Sequence, residues 1–336
     1  MTKTPDWDSR IGRRVTLRDL HTLLAVVQHR SMAKAGTHLG KSQSAVSQAV
    51  AAIEHAIGVR LLDRTSRGVE PTTYGSALLR RGRAAFDELR LGVDEIECLA
   101  DPTTGEVRIA CSELVSVGLL PAIIERLSLR CPKLKLHVLE TGSLVTECPE
   151  LQERKVDMRV GLLPRPLGGE LPREFDAEIL CDDEICLAVG QTSPWARRRK
   201  IDLAELVDEP WVAPSFATAA GVALMEAFHA RGLPPPQISV TTSSLGLRSL
   251  LSMSGRFIVA LPRSIVELYA DRFALKPLPL RFPTQLSYAI ITLKNRTLSP
   301  AIERFIACAR EVTKSRASGV GSAPARSRSK AGRTTA

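Results

Sequence analysis

The chain predicts a multidomain α and α/β protein: an N-terminal winged helix-turn-helix, a long linker helix, and a two-lobed α/β domain. Three observations predict it. Residues 17–57 carry three short amphipathic helix patterns in quick succession, followed by two short extended pieces around a Ser-Arg-Gly turn. Residues 79–100 repeat apolar or small residues at alternating spacings of 3 and 4. From residue 106 onward, apolar runs of strand length alternate with helical stretches. The boundaries read 1–14 for an N-terminal extension, 15–72 for the winged domain, 73–100 for the linker helix, 101–105 for a hinge, 106–313 for the lobes, and 314–336 for a basic tail.

In order along the chain, Leu17, Leu20, Leu23, Leu24 and Val27 share one helix face. Ser31 is placed to cap a second helix that ends at Gly40, and Ser42 a third that runs to about Ala56, with Gly58 just beyond. The segment VRLLDRTSRGVEPTT then forms the wing. Leu79, Gly82, Phe86, Leu89, Val93, Ile96 and Ala100 make a heptad seam, along a helix about 40 Å long at 1.5 Å per residue. A lone helix leaves such a seam in water, so it needs either a partner chain or its own domain; a second copy is favoured, with Leu79, Phe86, Leu89, Val93 and Ile96 as the dimer contacts. Asp101-Pro102-Thr103-Thr104-Gly105 breaks the helix. Strands are expected at 106–111, 134–139, 156–161, 184–190, 210–213, 238–242, 257–262 and 286–293, and helices at about 116–130, 144–154, 219–231, 243–254 and 299–313. The alternation implies parallel sheets, and about 200 residues implies two lobes. The Ser/Ala/Gly/Arg-rich tail lacks large apolar residues and is expected to be disordered.

Charge is distributed unevenly. Of the net +10, residues 1–86 hold 14 basic and 6 acidic residues, and residues 313–336 hold 6 basic and no acidic ones. The stretch between them is mildly acidic. A basic small domain on an acidic larger one points to a polyanion, although a solubilising bias gives the same numbers. Hydrophobic content of 44% and charged content of 24% are ordinary for a globular protein, and no run approaches a membrane span. The first residues, MTKTPDWDSRIGRR, have no apolar stretch after their charges, so the expected location is the cytoplasm. Seven scattered cysteines without a CxxC pair argue for reduced, packed thiols rather than a disulfide framework or zinc site. No HExxH, GxSxG, P-loop or GxGxxG pattern occurs, and neither an enzyme nor a cofactor is expected.

The stretch SQSAVSQ, residues 42–48, opens the third helix with three serines, two glutamines and no charge. On a helical projection Val46, Ala49, Val50, Ile53 and Ile57 fall on one side. Ser44, Ser47, Gln48 and Ala51 fall on the other, with Gln43 at the first turn. A short, polar, uncharged face suits a helix in the major groove of double-stranded DNA, because Ser and Gln exchange hydrogen bonds with base edges. Gln43, Ser44, Ser47 and Gln48 are therefore the candidate base readers. Ser31, Lys34, Lys41, Ser42, Arg64 and Arg67 are the candidate phosphate or wing contacts. An ordinary surface helix is the better explanation of an isolated SQSAVSQ, and an ion pair with Glu54 or Asp63 explains Arg64 equally well. The preceding helix, the tight turn, the Arg-bearing hairpin and the basic domain shift the balance toward DNA.

The segment SMAKAGTHLGKSQSAVSQAVAAIEHAIGVRLLDRTSRGVEPTTYG, residues 31–75, resembles the DNA-binding part of the LysR-type transcriptional regulators of bacteria. The resemblance rests on Ser31, Ala35, Leu39, Ser42, Gln43, Ala45, Val46, Ser47, Glu54, Gly58, Leu61, Arg64, Thr72 and Gly75 at fixed spacings. The chain departs from the pattern at Gly36, where Ala is usual, and at Ile53, Ile57 and Leu62. Gly36 is expected to loosen the second helix slightly. The resemblance implies a two-lobed domain like that of type 2 periplasmic binding proteins, a small-molecule effector between the lobes, dimers through the linker helix and tetramers through the lobes. RNA polymerase is a further partner such a regulator admits.

The resemblance also gives meaning to three polar clusters at strand ends: Ser112; Thr141, Gly142 and Ser143; and Thr241, Thr242, Ser243 and Ser244, of which Thr242 and Ser243 are the pocket candidates. Each suits a small anion at a helix N-terminus, and each alone is explained by simple capping. Glu113 beside Ser112 argues against an anion there, and Arg256-Phe257 stands where relatives carry smaller residues. The leading function is sequence-specific DNA binding under effector control. The alternatives are an effector-independent regulator with a vestigial pocket, and a small-molecule-binding protein of the solute-binding class.

Overall fold

The computed structural model describes residues 15–318 except 66–67, 143–146, 166–170, 217 and 283–284. Contacts divide the chain into two compact units, one ending at Asp94 and the other starting at Glu95.

The first unit begins with α1 (Leu17–His29), α2 (Met32–Leu39) and α3 (Gln43–Ile57). Thr16 and Asp19 form a reciprocal capping box at the start of α1. Ser31 and Ser42 cap α2 and α3, and both helices end on glycines in the left-handed region, Gly40 at φ 63° and Gly58 at φ 83°. Strands β1 (Leu62–Thr65) and β2 (Gly68–Pro71) pair antiparallel as the wing. Leu23, Val26, Val46, Val50, Ile53, Leu61 and Val69 form the core. Gly36 does not loosen α2. It is buried, and a Cβ there would sit 2.7 Å from the Lys41 carbonyl, so the tight α2–α3 turn uses the missing side chain.

Helix α4 (Thr73–Ala100) follows. The heptad seam divides along it. Leu79 is buried in the core of the first unit, Gly82 lies against Leu20, and Phe86 stacks on His21 at 5.9 Å. Leu79 is thus a core residue rather than a dimer contact. Leu89, Val93 and Ile96 remain 52%, 55% and 69% exposed.

In the second unit, β3 (Glu106–Cys111), β4 (Lys135–Glu140), β5 (Met158–Arg165) and β11 (Gln285–Leu293) join the first part of β6 (Phe175–Gly190) in lobe one. The order is β4-β3-β5-β11-β6. The last part of β6 continues into lobe two, where it meets β9 (Ile258–Pro262) and β10 (Leu275–Pro277); β7 (Trp211–Ala213) and β8 (Ile238–Thr241) complete the order β6-β9-β7-β8. The sheets are mixed, not parallel as the alternation implied. β3 is parallel to β4 and β5, and β7 to β8 and β9, but β11 runs antiparallel to β5 and β6, and β6 antiparallel to β9 and β10. The expected helix over 116–130 breaks at Leu119 into α5 (Glu113–Gly118) and α6 (Leu120–Arg130), with Pro121 in the first turn of α6. The remaining helices are α7 (Pro149–Gln152), α8 (Ala219–His229), α9 (Leu245–Met253), α10 (Arg263–Tyr269) and α11 (Pro300–Ser318). Helix α11 extends past the expected start of the tail at 314.

The stretch 101–105, expected as a hinge, is tied by hydrogen bonds. Asp101 accepts hydrogen bonds from Lys133 Nζ at 2.7 Å and from the Thr103 hydroxyl and N–H at 2.7 and 2.9 Å. Lys133 first, and Thr103 next, hold its carboxyl well below the usual range. Arg304 donates to the Pro102 carbonyl from α11. Among the described residues, no helix is long and apolar enough to cross a membrane.

Candidate nucleic-acid interface and ligand cleft

Helix α3 turns its apolar side to the core and leaves Gln43, Ser44, Ala45, Gln48 and Ala51 exposed, with Ser47 half-buried at the edge. Ser42 accepts the Ala45 N–H at 3.2 Å, and its hydroxyl pairs with that of Ser44 at 2.9 Å. The first turn holds no acidic residue, so its positive end faces outward uncompensated. Lys34 is exposed, and its N–H donates to the Ser31 hydroxyl at 3.3 Å. Lys41 is tied back to the scaffold, because its Nζ donates to the buried Thr22 hydroxyl at 3.2 Å. Arg64 is exposed on β1. Glu54, one proposed partner for it, instead accepts the Leu61 and Leu62 N–H groups at 2.7 and 3.2 Å through one oxygen. That bond locks the wing to α3. Arg67 lies outside the described residues.

Between the lobes of the second unit lies a cavity of about 300 Å³, at the low end of the range for small-molecule sites. Of the strand-end candidates, Ser112, Thr141, Gly142 and Ser243 line it. Thr242 does not: its hydroxyl accepts the Ser244 N–H at 3.2 Å and shapes the turn into α9. Ser143 lies outside the described residues. Arg256 stacks over Phe257 at 5.6 Å, and neither lines the cavity, so this departure from the family pattern leaves the site untouched.

The lining also contains groups that sequence reasoning missed. Arg159 of β5 and Arg248 of α9 are 2% and 1% exposed, and both line the cavity. Arg159 Nη1 lies 3.8 Å from Glu150 Oε2, while the other oxygen of Glu150 accepts the Thr141 hydroxyl at 2.5 Å. Arg248 donates to the carbonyls of Ala260 and Ser243, each at 3.2 Å, and its buried Nε has no hydrogen-bond partner. Burial pulls the Arg248 pKa down to about 10, with Glu113 opposing the shift, so the guanidinium keeps its charge at neutral pH. Thr218 caps α8 at the cavity wall, and Ser244, already part of the third strand-end cluster, caps α9 there. Glu140 accepts the Ser116 hydroxyl at 2.6 Å. The one available sequence signal was a lone arginine inside an apolar run: Met158-Arg159-Val160 and Leu247-Arg248-Ser249-Leu250. Among the described residues, no cluster of His, Cys, Asp and Glu is gathered to hold a metal ion.

Comparison with known proteins connects the two sites. The model for the LysR substrate binding domain matches residues 100–314, and that for bacterial regulatory helix-turn-helix proteins of the lysR family matches residues 17–76. The HTH-type transcriptional regulator GbpR of Azospirillum brasilense is 27% identical over 301 residues, 88% of this chain and 86% of its own. Full-length CbnR complexed with its target DNA shares the fold with a TM-score of 0.62 at 19% identity, over 89% of this chain and 100% of that one. A full-length OxyR variant from Pseudomonas aeruginosa does so with a TM-score of 0.64 at 18% identity, over 89% of this chain and 95% of its own. The two matched domains, in this order, account for both the outward polar helix and the two-lobed cavity: the chain belongs to the LysR family of bacterial DNA-binding transcriptional regulators.

Proposed function

We propose that this regulator reads its operator through Gln43, Ser44, Ser47 and Gln48, and that a small molecule bound between the lobes changes how two or more copies lie on DNA. The observation that carries the effector reading is the cavity itself. It is lined from both lobes and holds the guanidinium of Arg248, 1% exposed, whose Nε has no hydrogen-bond partner. A charge buried with a bond unmade is costly. A molecule that touches both lobes favours one arrangement of them, and this population shift passes to the DNA-binding domains and to the DNA bend. Leu89, Val93 and Ile96 support pairing of two copies through the exposed part of the α4 seam. Tetramers through the lobes and contact with RNA polymerase extend the same reading.

The test is fluorescence anisotropy on DNA from immediately upstream of the gene, against a scrambled duplex and across a salt series. The double variant Ser47→Ala/Gln48→Ala is expected to lose about 1–3 kcal/mol of preference for the upstream duplex and to keep its affinity for the scrambled one. Equal binding of both proteins to both duplexes would remove direct readout by α3. For the effector, compounds that raise the melting temperature are then added to the footprint. A footprint and bend that no stabilising compound alters would leave a regulator without effector control.

A further inference from the structure

The cleft contains a carboxylate that belongs to the protein. Glu113 is the first residue of α5 in lobe one, and its Oε2 accepts the Leu245 N–H of lobe two at 2.6 Å. Leu245 is the first residue of α9. The neighbouring donor at that helix end, the Leu247 N–H, is already taken by the Ser244 hydroxyl at 3.3 Å. Glu113 therefore completes the start of a helix 132 residues away, across the cleft.

Two independent features make this place fit for an oxyanion. One is the positive end of α9, a helix of 9 residues with no acidic residue in its first turn. The other is Arg248, one turn further along. It is 1% exposed, lines the same cavity, and has a buried Nε without a hydrogen-bond partner. Its remaining donors reach only the neutral carbonyls of Ala260 and Ser243. The Glu113 carboxylate is the negative charge that acts on it. A buried guanidinium with two carbonyl partners and one unmade bond is under-compensated by its own shell.

We propose that the N-terminus of α9 beside Arg248 is a carboxylate subsite of the cleft, and that Glu113 is its tethered occupant. A cleft ligand then brings a carboxylate of its own, displaces Glu113 from the Leu245 N–H, and takes over the bond that spans the lobes. This deepens the effector reading and rests on it. The ligand class is a small organic acid. Glu113 sets the threshold, because the ligand competes with a carboxylate held at high local concentration by the chain. Selectivity follows from the same competition: a neutral molecule or a cation gains nothing by displacing Glu113, since the N–H and the guanidinium would lose their anion.

The probe is sodium acetate, the carboxylate group with one methyl, added to the full-length chain with sodium chloride at equal ionic strength as the control. Glu113→Ala removes the tethered carboxylate and leaves its space. Its melting temperature is expected to fall below that of the wild type, and acetate at tens of millimolar is expected to raise it by about 2–4 °C over chloride. The wild type, with the subsite filled, is expected to respond alike to acetate and chloride. Glu113→Gln keeps the size and the acceptor for the Leu245 N–H, and is expected to gain nothing from acetate. If Glu113→Ala does not accumulate folded, its refolding yield from urea is measured in the same two salts, with acetate expected to raise the yield. An acetate response of Glu113→Ala equal to that of the wild type, or an equal rescue of Glu113→Gln, overturns the proposal. The readout involves no DNA, so its failure is separable from failure of the regulator reading, which is decided on the duplexes.

Discussion

Helices α3 and α9 begin in the same way and meet opposite surroundings. Ser42 accepts the Ala45 N–H at 3.2 Å, Ser244 accepts the Leu247 N–H at 3.3 Å, and neither first turn holds an acidic residue. Each helix offers the positive end of its dipole. At α3 that end lies among exposed Gln43, Ser44 and Gln48, where solvent reaches the free donors. At α9 the end lies in a cleft beside a buried guanidinium, and a carboxylate from the other lobe already occupies it. The same capping chemistry thus leaves one helix end open to solvent and the other closed by a carboxylate. Burial decides which, because a donor in a cleft needs a partner within the protein or its ligand.

The comparison is broken most strongly by removing a buried charge that the cavity does not use. Arg296 is held by Asp157 at 2.7 Å, with side chains 0% and 1% exposed, and it also donates to the Asp157 carbonyl at 2.9 Å. Asp157 in turn accepts the Arg108 N–H at 2.7 Å, which joins the end of β11 to β3. Arg296→Met leaves a buried carboxylate and is expected to destabilise the C-terminal unit by about 3–5 kcal/mol. In calorimetry that unit should melt early while the N-terminal transition stays in place. A common shift of both transitions would mean the two units do not unfold separately. A smaller effect is expected from the N-terminal side. A Cβ at Gly75 would lie 2.0 Å from the Leu61 carbonyl, so Gly75→Ala forces the wing and α4 apart. The expected loss is about 1–3 kcal/mol, confined to the N-terminal transition and accompanied by weaker DNA binding in anisotropy. An unchanged N-terminal melting temperature would contradict that packing.

The contrast between the sites also explains what the sequence made legible. The α3 surface is built from residues 42–48, so one helical projection places the whole candidate reading face, its cap and its core side. The cleft draws on Ser112, Thr141, Arg159, Thr218 and Arg248, which no local period connects. Capping patterns recovered the hydroxyl part, because Ser and Thr at a strand–helix junction have a local reason to be there. Arg159 and Arg248 had none, and their burial is a property of the assembled lobes. Glu113 was visible only as a charge that argued against an anion at Ser112; its acceptor role depends on the approach of α9 from lobe two. The mixed sheet escaped for a similar reason. The first part of β6, FDAEILCDDE, alternates irregularly in exposure and carries five acidic residues, so it lacks the apolar run that marks a buried strand. The seam on α4 was read as one surface because period alone does not say which neighbour, Leu20 or a second chain, covers a given turn.

The smallest expected effect separates the two units by chemistry alone. The N-terminal unit up to Asp94 contains no cysteine, and the C-terminal unit contains all seven. Burial pushes the thiols of Cys111, Cys148 and Cys186 from 9.0 up to about 11. In the unfolded chain they ionise near the ordinary value. Between roughly pH 9 and pH 11 the unfolded state has therefore released protons that the native state still binds, and stability falls as pH rises. The contribution is fully present below the unfolded value and is lost as pH climbs through the native one. Raising the pH from about 8.5 to about 10.5 is expected to lower the C-terminal melting transition more steeply than the N-terminal one. Cys186→Ala lowers the starting stability by removing a buried group, yet it should flatten the alkaline slope, because one of the upward-shifted thiols is gone. An unchanged slope in Cys186→Ala would assign the alkaline loss to other groups, and the two units would then differ in packing but not in proton linkage.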